Sequence, residues 1–275
     1  ITIEKTENGH KISRITGNIG GKRSGNENMT FTSALTIGAG GYNCPVSRVI
    51  TEVHNEPHRD DDHFCGGYRE YWDDVEGLGG EEGPIEIHFI DEVLPGYFWL
   101  FPVQGNRVNV GIGMLISEHR KLKGDKKKSL KKIQKWVINE HPRFKERFAN
   151  ATLVPGSEKG WQLPFGSPRK KSPYPFQPRR AAMAGALCVG DAASLVDPFS
   201  GEGIGNALLS AKLTSTHFNK DLHKDGFPED AAIEYMNELW GALGSELTNS
   251  KTLQKVMKWK LLTNWFVKKA SKKKK

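Results

Sequence analysis

A run of unusual residue types between positions 184 and 204 has the chemistry of a binding turn. The apolar stretch from Ala184 to Val189 predicts a short buried strand. A carboxylate placed where a strand stops can accept hydrogen bonds from sugar-like hydroxyl groups, and glycines allow the backbone to approach a flat ligand. The first N–H groups of a helix are free donors at the positive end of its dipole. The residues after the strand that provide these features are Gly190, Asp191, Pro198, Gly201, Gly203 and Ile204.

Together these residues suit a flavin. Asp191 would bind the ribityl chain, and the turn at residues 201–205 would face the electron-rich edge of the ring. The helix that begins near Gly203 is expected to place four apolar residues on one face: Ile204, Ala207, Leu208 and Ala211. The simpler interpretation is an ordinary strand–loop–helix crossover that contains a loop aspartate.

A second candidate site is a row of aromatic side chains on one predicted strand. Strand alternation places Tyr97, Trp99 and Phe101 on the same face, where they form a flat apolar wall. Such a wall suits a long hydrocarbon without polar groups, although core packing in a sheet explains most aromatic rows. The other residues of this candidate site are Pro102, which ends the strand, and Gly111 and Gly113, which leave room on the next strand.

Three segments of the chain resemble one enzyme family. The segment GDAASLVDPFSGEGI, which starts at Gly190, resembles the second cofactor motif of FAD enzymes of the p-hydroxybenzoate hydroxylase-like superfamily. Within that superfamily, its residues are most similar to those of geranylgeranyl reductases. Residues 95–113 are similar to their Tyr-x-Trp-x-Phe-Pro…Gly-x-Gly signature. Residues 37–48 resemble their Gly-Ala-Asp-Gly…Arg turn, which implies cofactor contacts at Gly41 and Arg48; Gly40 replaces the usual Asp and Cys44 a common Ser.

The resemblance implies an α/β (α+β) fold. Residues 1–62 and 180–225 would form a split, partial FAD-binding Rossmann-like domain, residues 63–179 an inserted antiparallel-sheet substrate domain, and residues 226–275 a helical C-terminal segment with a basic tail. The sequence contains no Gly-x-Gly-x-x-Gly pyrophosphate motif. We therefore interpret it as an amino-terminally truncated relative that lacks the first βαβ unit.

The implied reaction is FAD-dependent reduction of isolated double bonds in polyprenyl lipids of the geranylgeranyl type. NAD(P)H or a protein carrier would supply the electrons, and the proton donor stays open between Tyr97, Cys65 and water, so no catalytic residue is assigned. Two alternatives remain. One is an FAD-dependent monooxygenase or halogenase on the same scaffold. The other is a truncated, non-catalytic protein of the membrane surface.

Positive charge is concentrated in two short segments. Residues 120–135 hold nine Lys or Arg against one Asp, and residues 268–275 hold six Lys. Without a recognition motif this pattern does not indicate nucleic-acid binding. Residues 253–267 are apolar on a broad face with Trp and Lys around it, which predicts either a helix at a lipid interface or one docked on the protein body. A cytoplasmic protein is expected, with peripheral membrane contact through the C-terminal basic helix as the alternative to a docked helix, and the sequence does not indicate its oligomeric state.

Cysteine and histidine residues give no sign of a metal or disulfide scaffold. The three cysteines, Cys44, Cys65 and Cys188, are widely spaced and form no CxxC pattern. Three histidines between residues 54 and 63 lie among acidic residues, but Pro57 breaks any helix that would align them. We expect a solvated loop there and no metal site.

Periodicity also predicts the elements that position these residues. The predicted strands are Thr2–Lys5, His10–Ile15, Met29–Ile37, Gly67–Val75, Pro84–Ile90, Tyr97–Pro102 and Arg107–Ile116, with extended chain at 151–165. A charged linker is expected at Thr51–Asp62, and helices at Ser129–Glu140 and 228–267.

Overall fold

The computed structural model describes residues 1–6, 9–19, 27–78, 83–123, 128–169, 178–259 and 269. The chain divides into two compact units. The first unit contains Ile1–Asp60 and Pro164–Lys251. The second unit contains Asp61–Leu163 and the described part of the segment that starts at Thr252.

The mixed α/β fold predicted from the sequence is confirmed. The strands are β1 (Thr2–Thr6), β2 (Gly9–Ile19), β3 (Glu27–Thr32), β4 (Thr36–Gly38), β5 (Phe64–Asp73), β6 (Glu86–His88), β7 (Tyr97–Pro102), β8 (Arg107–Leu115), β9 (Thr152–Leu153), β10 (Lys159–Pro164), β11 (Ala182–Met183) and β12 (Ala186–Cys188). The helices are α1 (Pro45–Val53), α2 (Ile116–Lys121), α3 (Leu130–Asn139), α4 (Ile204–His217) and α5 (Glu229–Val256).

The first unit is built on two small sheets. β1, β2 and β3 form an antiparallel sheet, and β11, β12 and β4 form a second sheet in which β12 and β4 run parallel. The second sheet lies in an apolar core, where Leu187 packs with Ile50 of α1 and Leu239 of α5. The buried Tyr235 of α5 donates a hydrogen bond to the carbonyl of Cys188 at 2.8 Å, which ties the long helix to the end of β12.

The second unit is an antiparallel sheet with one helix-covered face. The strand order is β10-β5-β8-β7-β6, and β9 also pairs with β5. Phe98 and Leu100 of β7 are fully buried and belong to the same core cluster as Ile133 and Val137 of α3. The Ser129 side chain accepts a hydrogen bond from the Lys132 N–H and so caps α3 at the predicted position.

Two sequence predictions of elements were wrong, and one short helix was not predicted. Met29–Ile37 is two strands in different sheets, because the chain leaves the first sheet after Thr32 and enters the second at Thr36. The predicted linker at Thr51–Asp62 begins inside α1. Pro45 is the first residue of this helix, where the missing N–H of proline costs no hydrogen bond. Beyond β8, residues 116–121 form the short helix α2.

Two predictions about helix faces and ends also need correction. Ile204 and Leu208 of α4 are exposed, and this helix buries Ser210, Leu213 and Thr214 instead. The predicted helix 228–267 ends at Val256, and residues 260–268 lie outside the described residues. In the described parts of the chain, every helix is too short or too polar to cross a bilayer.

Candidate functional site

The two turns that the sequence assigns to a cofactor lie at one edge of the same sheet. β4 and β12 are parallel neighbours with Cys188 opposite Gly38, so both strands end at the same side. The single-turn helices that follow them, Gly41–Asn43 and Gly190–Ala193, contact each other. Ligands of open α/β sheets bind at the carboxyl ends of parallel strands. The fold therefore brings the two motifs, about 150 residues apart in the chain, into one candidate site.

Asp191 presents a half-buried carboxylate at this edge. Its side chain makes no hydrogen bond or salt bridge with any described residue, and burial raises its pKa above the ordinary value. A Cβ atom added to Gly203 would lie 3.4 Å from the Asp191 Oδ1 atom, so the carboxylate sits beside the start of α4. The backbone N–H of Gly190 is fixed by a 3.0 Å hydrogen bond to Ser210 Oγ of that helix. The carboxylate is positioned and still able to accept hydrogen bonds.

The loop between Asp191 and α4 is held by its own hydrogen bonds. Asp197 Oδ1 accepts hydrogen bonds from the N–H groups of Phe199 and Ser200 at 2.9 and 2.7 Å. Gly201 has φ +75°, a conformation that glycine adopts without strain. Asn206 donates to the carbonyl of Leu195 at 2.7 Å and so ties the first turn of the helix to the loop. Such a loop can meet a ligand without being reordered.

The start of α4 opens into a hollow. The residue before α4 is Gly203, which has no side chain to cap the first N–H groups of the helix. A cavity of about 330 Å³ is lined by the loop and by Glu246 and Ser250 of α5. Glu202 and Glu246 are exposed carboxylates at this cavity, and their charge favours an uncharged ring over a phosphate. Of the predicted residues, Gly203 lines the cavity, Ile204 is exposed and Pro198 is buried.

The other predicted cofactor residues lie on the turn after β4. Gly41 has φ +67°, and nothing lies within 4 Å of a Cβ atom placed there. Arg48 is exposed on α1, one turn after Cys44. Gly40, where the family has Asp, is closely packed, because an added Cβ would lie 3.2 Å from Cys44 Cα. The geometry at position 40 thus disfavours a larger side chain.

In the second unit, the aromatic row is the less covered face of the sheet. Tyr97, Trp99 and Phe101 are partly exposed, whereas Phe98 and Leu100 between them are completely buried. Neighbouring rings in the row touch, with centroids 5.9 Å apart for Tyr97 and Trp99 and 6.0 Å apart for Trp99 and Phe101. The hydrophobic core lies on the opposite face, so core packing alone does not account for this row.

The role predicted for Gly111 was wrong. We expected the missing side chain to leave room for a ligand, but the Trp99 indole fills that space: an added Cβ on Gly111 would lie 2.0 Å from Trp99 Cζ2. Trp99 Nε1 also donates to Asn109 Oδ1 at 3.1 Å, which fixes the ring over β8. At Gly113 the nearest atom to an added Cβ is Cys65 Sγ at 3.4 Å, so space for one methyl group remains there.

Sequence reasoning missed other apolar side chains of the second unit. Ile87 of β6 is directly opposite Trp99 in the register and is 46% exposed. Phe89 is 38% exposed, and its ring centroid lies 6.3 Å from that of Tyr97. Trp161 of β10 is 57% exposed. Cross-strand register provides the signal for Ile87, but it could not be read from the sequence before the pairing of β6 and β7 was known.

Parts of this chain are similar to known sequences. Residues 67–152 match the family described as geranylgeranyl reductase catalytic domain. A digeranylgeranylglycerophospholipid reductase of Methanococcus aeolicus is 29% identical over 179 residues, which cover 64% of this chain and 40% of the relative. Digeranylgeranylglycerophospholipid reductase 2 of Methanococcoides burtonii is 30% identical over 220 residues, which cover 79% and 47%. The chain thus spans about half or less of these relatives.

Solved structures show the same fold. A geranylgeranyl bacteriochlorophyll reductase-like protein of Thermoplasma acidophilum superposes with a TM-score of 0.70 at 18% identity, covering 94% of this chain and 57% of that protein. The flavin-dependent halogenase CmlS gives a TM-score of 0.60 at 16% identity, covering 90% and 40%. The protein therefore has the fold of flavin-dependent oxidoreductases. In sequence, the chain is similar to geranylgeranyl reductases, and residues 67–152 match their catalytic-domain family.

Proposed function

We propose that the chain forms part of an FAD-dependent reductase that saturates isolated double bonds in geranylgeranyl-type polyprenyl lipids. The observation that carries this proposal is the Asp191 carboxylate, which has no partner among the described residues and lies at the sheet edge shared by the two cofactor turns. Sequence similarity to digeranylgeranylglycerophospholipid reductases supports the substrate class.

The residues of the first unit fit an FAD. Asp191 would accept hydrogen bonds from ribityl hydroxyl groups, because its carboxylate has no partner among the described residues. The uncapped start of α4 after Gly203 offers N–H donors and a positive dipole end to the electron-rich edge of the ring. Gly201 and Gly41 keep the backbone free of side chains at the two turns, and Arg48 supplies a positive charge.

The second unit supplies an apolar surface for the lipid chain. Trp99 and its two aromatic neighbours offer flat ring faces, and their polar groups are the Tyr97 hydroxyl and the indole N–H, which donates to Asn109. Ile87 extends the surface across the strand pair. Burial of a long hydrocarbon on such a surface is worth about 25 cal/mol per Å².

The chemical role of the residues is alignment and exclusion of water. An isolated alkene has no carbonyl to polarise, so the protein must orient the chain and keep the site dry. Reduced FAD supplies the hydride when bound. NAD(P)H or a protein carrier would reduce the flavin. We assign no proton donor; Cys65 is a poor one, because burial raises its pKa to about 12 and disfavours the thiolate it would become.

The proposal is tested with the purified chain, FAD and a geranylgeranyl glycerophospholipid. We expect the protein to bind FAD and, with dithionite as reductant, to yield lipid products heavier by two hydrogens per reduced bond in mass spectrometry. Trp99→Ala should weaken lipid binding, whereas Trp136→Ala, the same change on α3, should not. A hydroxylated or halogenated product would exclude the reductase reaction and favour the monooxygenase or the halogenase alternative. A folded chain that takes up no FAD would contradict the proposal.

A further inference from the structure

Two buried cysteines of the first unit lie side by side above Gly38. A Cβ atom placed on Gly38 would lie 2.7 Å from Cys188 Sγ and 3.0 Å from Cys44 Sγ. Both sulfur atoms therefore occupy the space left by the missing side chain. Cys44 is 2% exposed and Cys188 is fully buried, and both are free thiols in this structure. The residues are 144 positions apart, so the fold alone brings them together.

The surroundings make the two sulfurs chemically different. Cys44 precedes α1, and a hydrogen bond from the Cys188 thiol lowers its pKa, against the effect of burial and with help from the N–H groups of Ser47, Gly40 and Val46. The pKa of Cys188 is raised for the converse reasons, the neighbouring Cys44 and burial. Of the two thiols, Cys44 therefore ionises more readily, and Cys188 remains protonated beside it.

We propose that Cys44 and Cys188 are a redox modification site that forms a reversible disulfide with a peroxide as oxidant. The Cys44 thiolate attacks a peroxide oxygen, the O–O bond breaks, and the departing oxygen leaves as water or alcohol after protonation. The resulting sulfenic acid is attacked by the Cys188 sulfur, which loses its proton, and a second water leaves as the S–S bond forms. The two sulfurs together lose two electrons, and an external dithiol returns them.

The bond would change the candidate cofactor site directly. Cys44 follows the Gly41 turn, and Cys188 stands two residues before Gly190 at the same sheet edge. A disulfide would link these two turns covalently. Because the S–S bond forms between two sulfurs of the protein, its formation can be tested in the absence of FAD, separately from the proposed function.

The test is differential alkylation and peptide mass spectrometry of the whole chain after treatment with hydrogen peroxide. We expect a Cys44–Cys188 cross-linked peptide that disappears on treatment with dithiothreitol. Cys65 is the internal control: it lies in the second unit, burial raises its pKa to about 12, and it should remain alkylatable after denaturation. In Cys44→Ser the cross-link should be absent and Cys188 should remain a thiol.

Two results would overturn the inference. One is full alkylation of Cys44 and Cys188 after an exposure to peroxide that oxidises surface methionines. The other is over-oxidation of Cys44 to sulfinic acid with Cys188 still reduced. Because the wild-type protein gives the decisive reading, the outcome does not depend on the folding of a variant, and circular dichroism of the treated protein confirms that its fold is retained.

Discussion

At the scale of single residues, Asp191 combines partial burial with the lack of a described partner. Removal of a charged hydrogen bond costs about 1.5–3 kcal/mol. We therefore predict that Asp191→Asn binds FAD about tenfold to a hundredfold more weakly in a fluorescence titration. Asp221→Asn removes an exposed carboxylate from the same unit and should leave the affinity unchanged. Equal affinities for the two variants would remove Asp191 from the site.

The pH dependence at Asp191 gives a second, independent prediction. Burial raises the pKa of this carboxyl, so acidification protonates it before exposed aspartates. FAD affinity should fall as the pH decreases through that raised pKa, since the neutral acid is a poorer acceptor. The stability of the FAD-free protein should change in the opposite sense, because a raised pKa stabilises the fold at low pH and this contribution is lost as the pH rises. In Asp191→Asn, both of these pH dependences should be absent, because the amide does not titrate.

At the scale of elements, α4 is tied to the cofactor turn by one buried hydrogen bond. The Gly190 N–H donates to Ser210 Oγ at 3.0 Å, and Ser210 is fully buried. Ser210→Ala leaves that N–H without a partner, so we predict a loss of about 1–3 kcal/mol in the free energy of unfolding, measured with urea. Ser215→Ala on the exposed side of α4 should change stability by less than about 0.5 kcal/mol.

The packing of Trp99 over Gly111 gives a prediction for the sheet. Gly111→Ala forces the indole to move, because the new Cβ would lie 2.0 Å from it, and we predict a loss of about 1–3 kcal/mol. Gly160→Ala in β10 is the matched control, since its Cβ would meet nothing closer than 3.9 Å. In a Trp99→Ala background the cost of Gly111→Ala should shrink. An unchanged cost would mean that the strain lies elsewhere.

The elements show where sequence reasoning succeeds and where it fails. Alternation alone predicted β7 to its correct ends, Tyr97 and Pro102, because one face of the strand is buried and the other is not. The same alternation ran through residues 33–35 and joined β3 to β4, since a change of sheet leaves no polar break. Helix α1 was missed, because its first residues were assigned to the cofactor turn and its last three residues to the charged linker.

The candidate sites show the same limit. Local motifs identified Asp191 and the turn at Gly41 separately, but the parallel pairing of β4 and β12 that unites them is a long-range property. The contact between Cys44 and Cys188 depends on that pairing as well, and so could not be predicted from two isolated cysteines. In the second unit, the filled space at Gly111 depends on the rotamer of Trp99, which no spacing rule provides.

At the scale of the whole molecule, the formal net charge of +8 conceals a strong asymmetry. The summed net charge of residues 120–135 and 268–275 exceeds the net charge of the whole chain, so the rest of the chain is net negative. Each Lys or Arg near an anionic bilayer contributes about 1 kcal/mol, screened by salt. We predict that the protein sediments with phosphatidylserine-containing vesicles at low salt and is released from them at high salt. It should not bind neutral phosphatidylcholine vesicles.

A deletion distinguishes the basic C-terminal segment from the rest of the chain. Removal of residues 268–275 eliminates six lysines and should lower the fraction bound to anionic vesicles, while FAD affinity and the unfolding midpoint remain as in the full chain. A variant with Lys131 and Lys132 changed to Gln tests the other basic segment with α3 intact. If both changes leave binding and its salt dependence unaltered, the attraction is not electrostatic. The exposed apolar residues of the second unit, such as Ile87 and Trp161, would then be the surface to mutate next.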